Sequence, residues 1–282
     1  MSVTLTVPFE ARGVGLHGGQ PVRMIVAPAS AGSGIVFRRS DLPGSPTVPA
    51  RHDLVGDTTL CTRLIGPSGA SVGTVEHLMA ALAGLGVTDT LVTLDGPEVP
   101  IMDGSAARFV EAILEAGLTR LPGRARAIRI RRTITVSDGD KSATLHPAPR
   151  FGMSFRIRFD DAAIGDQALS LCLAGPAFAE ELAECRTFGR LSDVERLRAA
   201  GLGLGGSLDN AIVVDGGRVL NRDGLRRPDE FVRHKMLDAV GDLALAGAPI
   251  IGHYEGVKAG HGLTNVLLGA LFADPQAWDW VE

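Results

Sequence analysis

Short apolar runs punctuated by Gly and Pro alternate through the first third of the chain. Residues 22–26, 34–38 and 89–94 read as strands. Between the second and third of these the period changes. Val75, Leu78, Met79 and Leu82 recur at i, i+3, i+4 and i+7, which predicts a helix over 74–83 with one buried stripe. Thr74 offers an N-cap and Gly84 a C-terminal glycine. A second helix is expected over 106–116, after Asp103-Gly104-Ser105.

Residues 117–126 contain Gly, Pro and three arginines without periodicity, the composition of a linker. Beyond them the order of elements recurs. Strands are expected over 128–136, 143–147 and 155–159, then a helix over 192–200, a strand over 211–214 and a long helix over 228–246. No clear sequence repeat relates the halves. The similar order nevertheless predicts an α+β fold of two domains, 1–122 and 123–282, each a sheet covered by helices.

Composition narrows the function classes. The 282 residues are 45% apolar and 21% charged, ordinary for a globular protein with a substantial core. A net charge of -4 gives no basic footprint for nucleic acid or an anionic membrane surface. Cys61, Cys172 and Cys185 are widely spaced, with no C-x-x-C pair, which points to a reducing compartment. The start of the chain lacks the basic and apolar regions of a signal peptide, and no stretch approaches the roughly 20 apolar residues of a spanning helix. A cytoplasmic protein with no integral membrane segment is expected. Gly201, Gly203 and Gly206 match G-x-G-x-x-G. However, a helix is expected before them and a strand after, the reverse of a dinucleotide-binding turn.

Candidate chemistry concentrates in three segments. In the helix over 228–246, Val232, Met236, Ala239, Val240, Leu243 and Ala244 cover one arc, while His234, Lys235, Asp238 and Asp242 gather opposite. His234 and Asp238, four apart, can converge on one ion, although such a pair is more often a solvated ion pair. Glu76-His77 opens the helix over 74–83. His77 would complete a three-ligand set that leaves a position for water, with Glu76 as its base. Equally, Glu76 there could simply complement the helix dipole. In Lys258-Ala259-Gly260-His261-Gly262, His261 is either a surface histidine before a helix or a proton donor whose pKa Asp242 raises.

In the first half, Gly13-Val14-Gly15-Leu16-His17, Thr74-Val75-Glu76-His77-Leu78, Ala80 to Gly86 and Pro100-Ile101-Met102-Asp103-Gly104-Ser105 stand out as motifs. The second half adds Arg186-Thr187-Phe188-Gly189, Leu204-Gly205-Gly206-Ser207, the His234 helix and Lys258 to His261. Together these stretches resemble the UDP-3-O-acyl-N-acetylglucosamine deacetylases, zinc-dependent hydrolases of lipid A (lipopolysaccharide) biosynthesis in Gram-negative bacteria. They occur in the family's order and span nearly the whole chain. The resemblance implies two similar domains packed helix layer to helix layer, with the active site between them. It also implies an acyl-passage insert, placed near 191–215, to which Val194, Leu197, Leu202, Leu204 and Leu208 would contribute.

Residue by residue, the resemblance makes His77, His234 and Asp238 the ligands of Zn2+. Glu76 becomes the general base, His261 the general acid with Asp242 as its partner, and Thr187 an oxyanion contact. Lys235, Phe188 and Lys141 fall at the sugar-nucleotide end. The implied substrate is a small-molecule sugar-nucleotide lipid, and the implied state a monomer. Arg190 and Gly203 depart from the family pattern near the acyl passage, and His17 receives no role. Two rival classes are a binding module without catalysis and a metallopeptidase. The latter lacks the H-E-x-x-H helix. Zinc and iron both suit these ligands.

Overall fold

The computed structural model describes residues 2–122, 126–173 and 175–282. Two five-stranded sheets carry an α+β fold, and they share one topology. The first runs in the order Phe9–Val14, Pro21–Pro28, Thr90–Leu94, Ile35–Arg39, Thr47–Pro49. The second runs Ile134–Asp138, Lys141–His146, His253–Val257, Gly152–Arg158, Asp166–Cys172. In each sheet the third and fourth strands of that order are parallel and every other pair is antiparallel. Alternation explains the single covered face: in Pro21–Pro28, Val22, Met24 and Val26 are buried while Arg23 is exposed.

Six helices are described: α1 (Glu76–Gly84), α2 (Ala107–Ala116), α3 (Ala177–Glu181), α4 (Leu191–Ala199), α5 (Glu230–Ala244) and α6 (His261–Ala273). α1 packs directly on α5, and α5 on α6. The α1–α5 crossing depends on Gly241, where a Cβ would lie 2.0 Å from the Glu76 carbonyl oxygen. Only a residue without a side chain lets the backbones approach so closely. Residues Glu76 to Leu82 of α1 are all buried, as are His234, Asp238 and Asp242 of α5. Among the described residues, no helix is long and apolar enough to cross a membrane.

Several local expectations change. Thr74 does not cap α1. Its φ is 54° and its hydroxyl donates to Glu98 at 2.7 Å, so the helix begins two residues later. Gly84 lies inside α1, where a Cβ would meet the Phe178 ring at 2.2 Å; the left-handed glycine beyond the helix is Gly86. The run over 128–136 divides into Ala127–Ile130 and Ile134–Asp138, which join different sheets. Within the expected linker, Leu118–Arg120 is a strand paired with Val3–Leu5. Residues 123–125 of that linker, on which the expected boundary falls, lie outside the described residues. The glycines of the G-x-G-x-x-G match follow α4 and precede the strand Ile212–Asp215, the reversed order anticipated.

Candidate active site

The first turn of α1 and two successive turns of α5 face each other where the helices cross. His77 Nε2 lies 3.5 Å from Asp238 Oδ1, and His234 Nε2 lies 3.2 Å from the same oxygen. One donor atom from each of His77, His234 and Asp238 falls within 4.8 Å of the others, so the group can hold a metal ion. All three are buried, which rules out a solvated surface pair. His234 Nδ1 donates to the Cys185 carbonyl at 3.0 Å, leaving Nε2 as the lone pair turned toward Asp238. Burial brings His234 down to about 4, so its imidazole is neutral near pH 7. Burial pushes the Asp238 carboxyl upward, but His234, Lys235 and His77 outweigh it and hold the group well below the usual range.

One atom tests whether these residues suit a cation. Asp238 Oδ1, the oxygen that both imidazoles face, is buried without a hydrogen-bond partner. Buried polar atoms are rarely left unsatisfied unless a bound water or ion meets them. Two imidazoles and one carboxylate are the ligand types of catalytic zinc sites.

The expected base and acid flank this group. Glu76 is fully enclosed; burial raises its carboxyl pKa, partly opposed by His261 and His77. Its Oε2 accepts the Thr62 backbone N–H at 3.0 Å. His261, the first residue of α6, is buried and hydrogen-bonded through Nδ1 to Asp242 Oδ2 at 2.8 Å. Burial alone would lower the His261 pKa, but the Asp242 carboxylate and then Glu76 bring it up to about 9. His261 Nε2 stands 3.9 Å from Glu76 Oε1. The surface-histidine alternative fails for His261.

These groups open onto a cavity of about 1050 Å³, also lined by Thr187, Phe188, Lys235 and Lys141. Asp242 sits behind His261. Thr187 is fixed from the other half of the chain, since its N–H donates to the Gly104 carbonyl at 2.7 Å. Phe188 packs edge-on against Phe159 and Phe231. Lys235 reaches the cavity but also donates to Asp238 Oδ2 at 2.7 Å, so its ammonium already serves the Asp238 carboxylate. Lys141 is exposed, at the start of its strand.

The wall near 191–215 differs from the expected greasy lining. Leu197 of α4 lines the cavity, whereas Leu204 and Leu208 are exposed. Arg190 also lines it, paired with Asp193 at 2.7 Å. Gly203 adopts a φ of 65°, a local reason for glycine there.

Sequence patterns missed the supports. Glu98 accepts the backbone N–H groups of His17 and Gly18 and the Thr74 hydroxyl. It thereby ties the Gly13 to His17 motif to the entrance of α1. Glu230, at the start of α5, accepts the Arg186 N–H and guanidinium and so anchors the segment bearing Thr187. Non-glycine residues with positive φ line the cavity at Leu60, Thr74 and Lys258, strain of the kind that collects at functional sites. His17 is buried with neither ring nitrogen hydrogen-bonded. A glutamate such as Glu98 carries no periodic signal; the preceding Gly-rich motif was the available clue.

The family model described as "LpxC: UDP-3-O-acyl N-acetylglycosamine deacetylase" matches residues 2–273. A UDP-3-O-acyl-N-acetylglucosamine deacetylase from Phenylobacterium zucineum is 52% identical over 276 residues, 98% of this chain and 94% of the relative. The proteins of that name from Xanthomonas oryzae pv. oryzae and Pasteurella multocida are 49% and 46% identical, each covering 99% of this chain and 92% of the relative.

Proposed function

The chain belongs to the UDP-3-O-acyl N-acetylglycosamine deacetylase family, and from that premise we propose that it is a zinc-dependent amide hydrolase. Its substrate is UDP-3-O-(3-hydroxyacyl)-N-acetylglucosamine, and its products are the free amine and acetate, the committed step of lipid A biosynthesis. The observation that carries this is the joint placement of His77, His234 and Asp238 beside Glu76 and His261 in one cavity.

His77, His234 and Asp238 would hold the zinc. When bound, zinc supplies a Lewis acid and brings the pKa of water toward neutrality. Glu76, desolvated and therefore more basic than an ordinary carboxylate, takes the proton from the attacking water. His261 holds its proton through Asp242 and delivers it to the departing nitrogen. The Thr187 hydroxyl and the charge of His261 oppose the negative charge that develops on the carbonyl oxygen. Lys235, Phe188 and Lys141 contact the sugar-nucleotide end, and the wall near 191–215 receives the acyl chain. The active unit is a cytoplasmic monomer of two domains, divided near residue 122.

Acetate release from that substrate tests the reaction when measured before chelation, after it and after zinc is returned. Loss on chelation with recovery at up to one equivalent of zinc is expected. No release from protein with confirmed metal would overturn the substrate assignment.

A further inference from the structure

Thr62 touches the proposed base and the proposed acid at once. Its backbone N–H donates to Glu76 Oε2 at 3.0 Å and its hydroxyl to Asp242 Oδ1 at 2.6 Å. Its carbonyl accepts the Val75 N–H, at the entrance to α1. Every polar group of this residue is thus committed, and it is only 1% exposed. The other Asp242 oxygen accepts from His261 Nδ1, and His261 Nε2 faces Glu76 Oε1 across 3.9 Å. Glu76, Thr62, Asp242 and His261 therefore form a ring closed by three hydrogen bonds and one gap. That gap is where a reacting group would exchange protons with the two ends.

We infer that Thr62 is a positioning residue that sets the base and the acid against each other across the scissile bond. A hydroxyl has a single proton, and Thr62 gives it to Asp242. With both oxygens tied, the Asp242 carboxylate cannot rotate, so it holds the His261 ring with its Nδ1–H on Asp242 and its Nε2–H aimed at the gap. The same residue's N–H fixes one Glu76 oxygen and leaves the other toward the gap. Base and acid sit on separate helices, α1 and α6, and Thr62 links them through α5. His261 is also faced by the Lys235 ammonium from α5 and by the buried His17 imidazole, groups that the substitution below leaves in place.

This rests on Glu76 and His261 serving as base and acid, and the test separates the two. Thr62→Val keeps the volume and the N–H but removes the hydroxyl; Thr62→Ser keeps the hydroxyl. In Thr62→Val, kcat should fall roughly ten- to a hundredfold with KM within about twofold and zinc content unchanged, as for other residues that orient a reactive group. Thr62→Ser should retain most of kcat. The Nδ1 proton resonance of His261, read by NMR on histidine-labelled protein, should move in Thr62→Val and stay in Thr62→Ser. Thr62→Ala replaces the valine variant if that fails to fold, since shortening introduces no clash. A wild-type kcat and an unmoved resonance in the hydroxyl-free variant would overturn the inference while leaving the deacetylase proposal intact. Equal losses in the serine and valine variants would overturn it too, because packing would then explain both. An inactive wild-type enzyme would instead sink the proposed function, while the resonance still reports on Thr62.

Discussion

The floor and the outer wall of the cavity are built on opposite terms. On the floor, Glu76, His77, His234, Asp238, Asp242 and His261 are all buried, and each sits on a helix packed against another. On the wall, α4 has no buried residue, and Arg190 and Lys141 meet solvent. Burial amplifies charge, moving His234 to about 4 and His261 to about 9, in opposite directions within one site. The wall has no such leverage, and its ion pairs, such as Arg196 with Asp193, are solvent-screened. Under the proposed function, proton chemistry therefore belongs to the floor, and recognition of a long, flexible substrate to the wall.

Substitutions can break or sharpen that division. The largest effect is expected at the proposed metal ligands: His234→Ala should abolish stoichiometric zinc and acetate release together, as measured by elemental analysis and turnover. Full activity without metal would end the floor's role in catalysis. Glu76→Gln should lower kcat by about 10²–10⁴ while zinc content holds, the usual contribution of a general base.

His261→Ala sharpens the electrostatic side of the comparison. In the folded protein His261 has a pKa of about 9, above its ordinary 6.5. Its charged form is therefore favoured by folding, a stabilisation present below pH 6.5 and lost as pH rises through about 9. As the acid, it should give the kcat profile a falling limb near the same pH, and His261→Ala should remove that limb. A limb unchanged in the variant would assign the acid elsewhere.

Gly241→Val tests packing of the floor without touching a reactive group. A side chain forced against the α1 backbone should destabilise the fold by about 3 kcal/mol, visible as a lower Tm, and reduce zinc affinity with it. The smallest effect belongs to the wall. Lys141→Ala should raise KM by about three- to tenfold, the loss of one partly screened charge contact, with kcat and Tm nearly unchanged. A kcat loss there comparable to Glu76→Gln would erase the distinction between the regions.

Periodicity made α1, α2 and α5 legible, because each repeats apolar residues at helical spacing over at least two turns. It gave no bounds for α6, expected only as a helix following His261 because its apolar residues are too numerous to show a stripe, and no assignment for Asp166–Cys172, whose alternating residues are exposed or half-buried. The proposed ligand triad and acid–base pair were recognisable as residue types in a familiar order. Thr62, Glu98 and Glu230 were not, because a hydroxyl or carboxylate that supports another group has no spacing rule of its own.

By itself the sequence determined the α+β class, the recurrence of element order and the identities of the residues able to bind metal or move protons. All of these follow from local period and side-chain chemistry. Only the tertiary structure decided that a His-x-x-x-Asp pair lies buried instead of in water, that Gly241 permits a helix crossing at backbone contact, and that Thr62 ties base to acid. Those outcomes depend on contacts between residues as far apart as 180 positions, and the free energy of such contacts comes from excluding water, which no local pattern records.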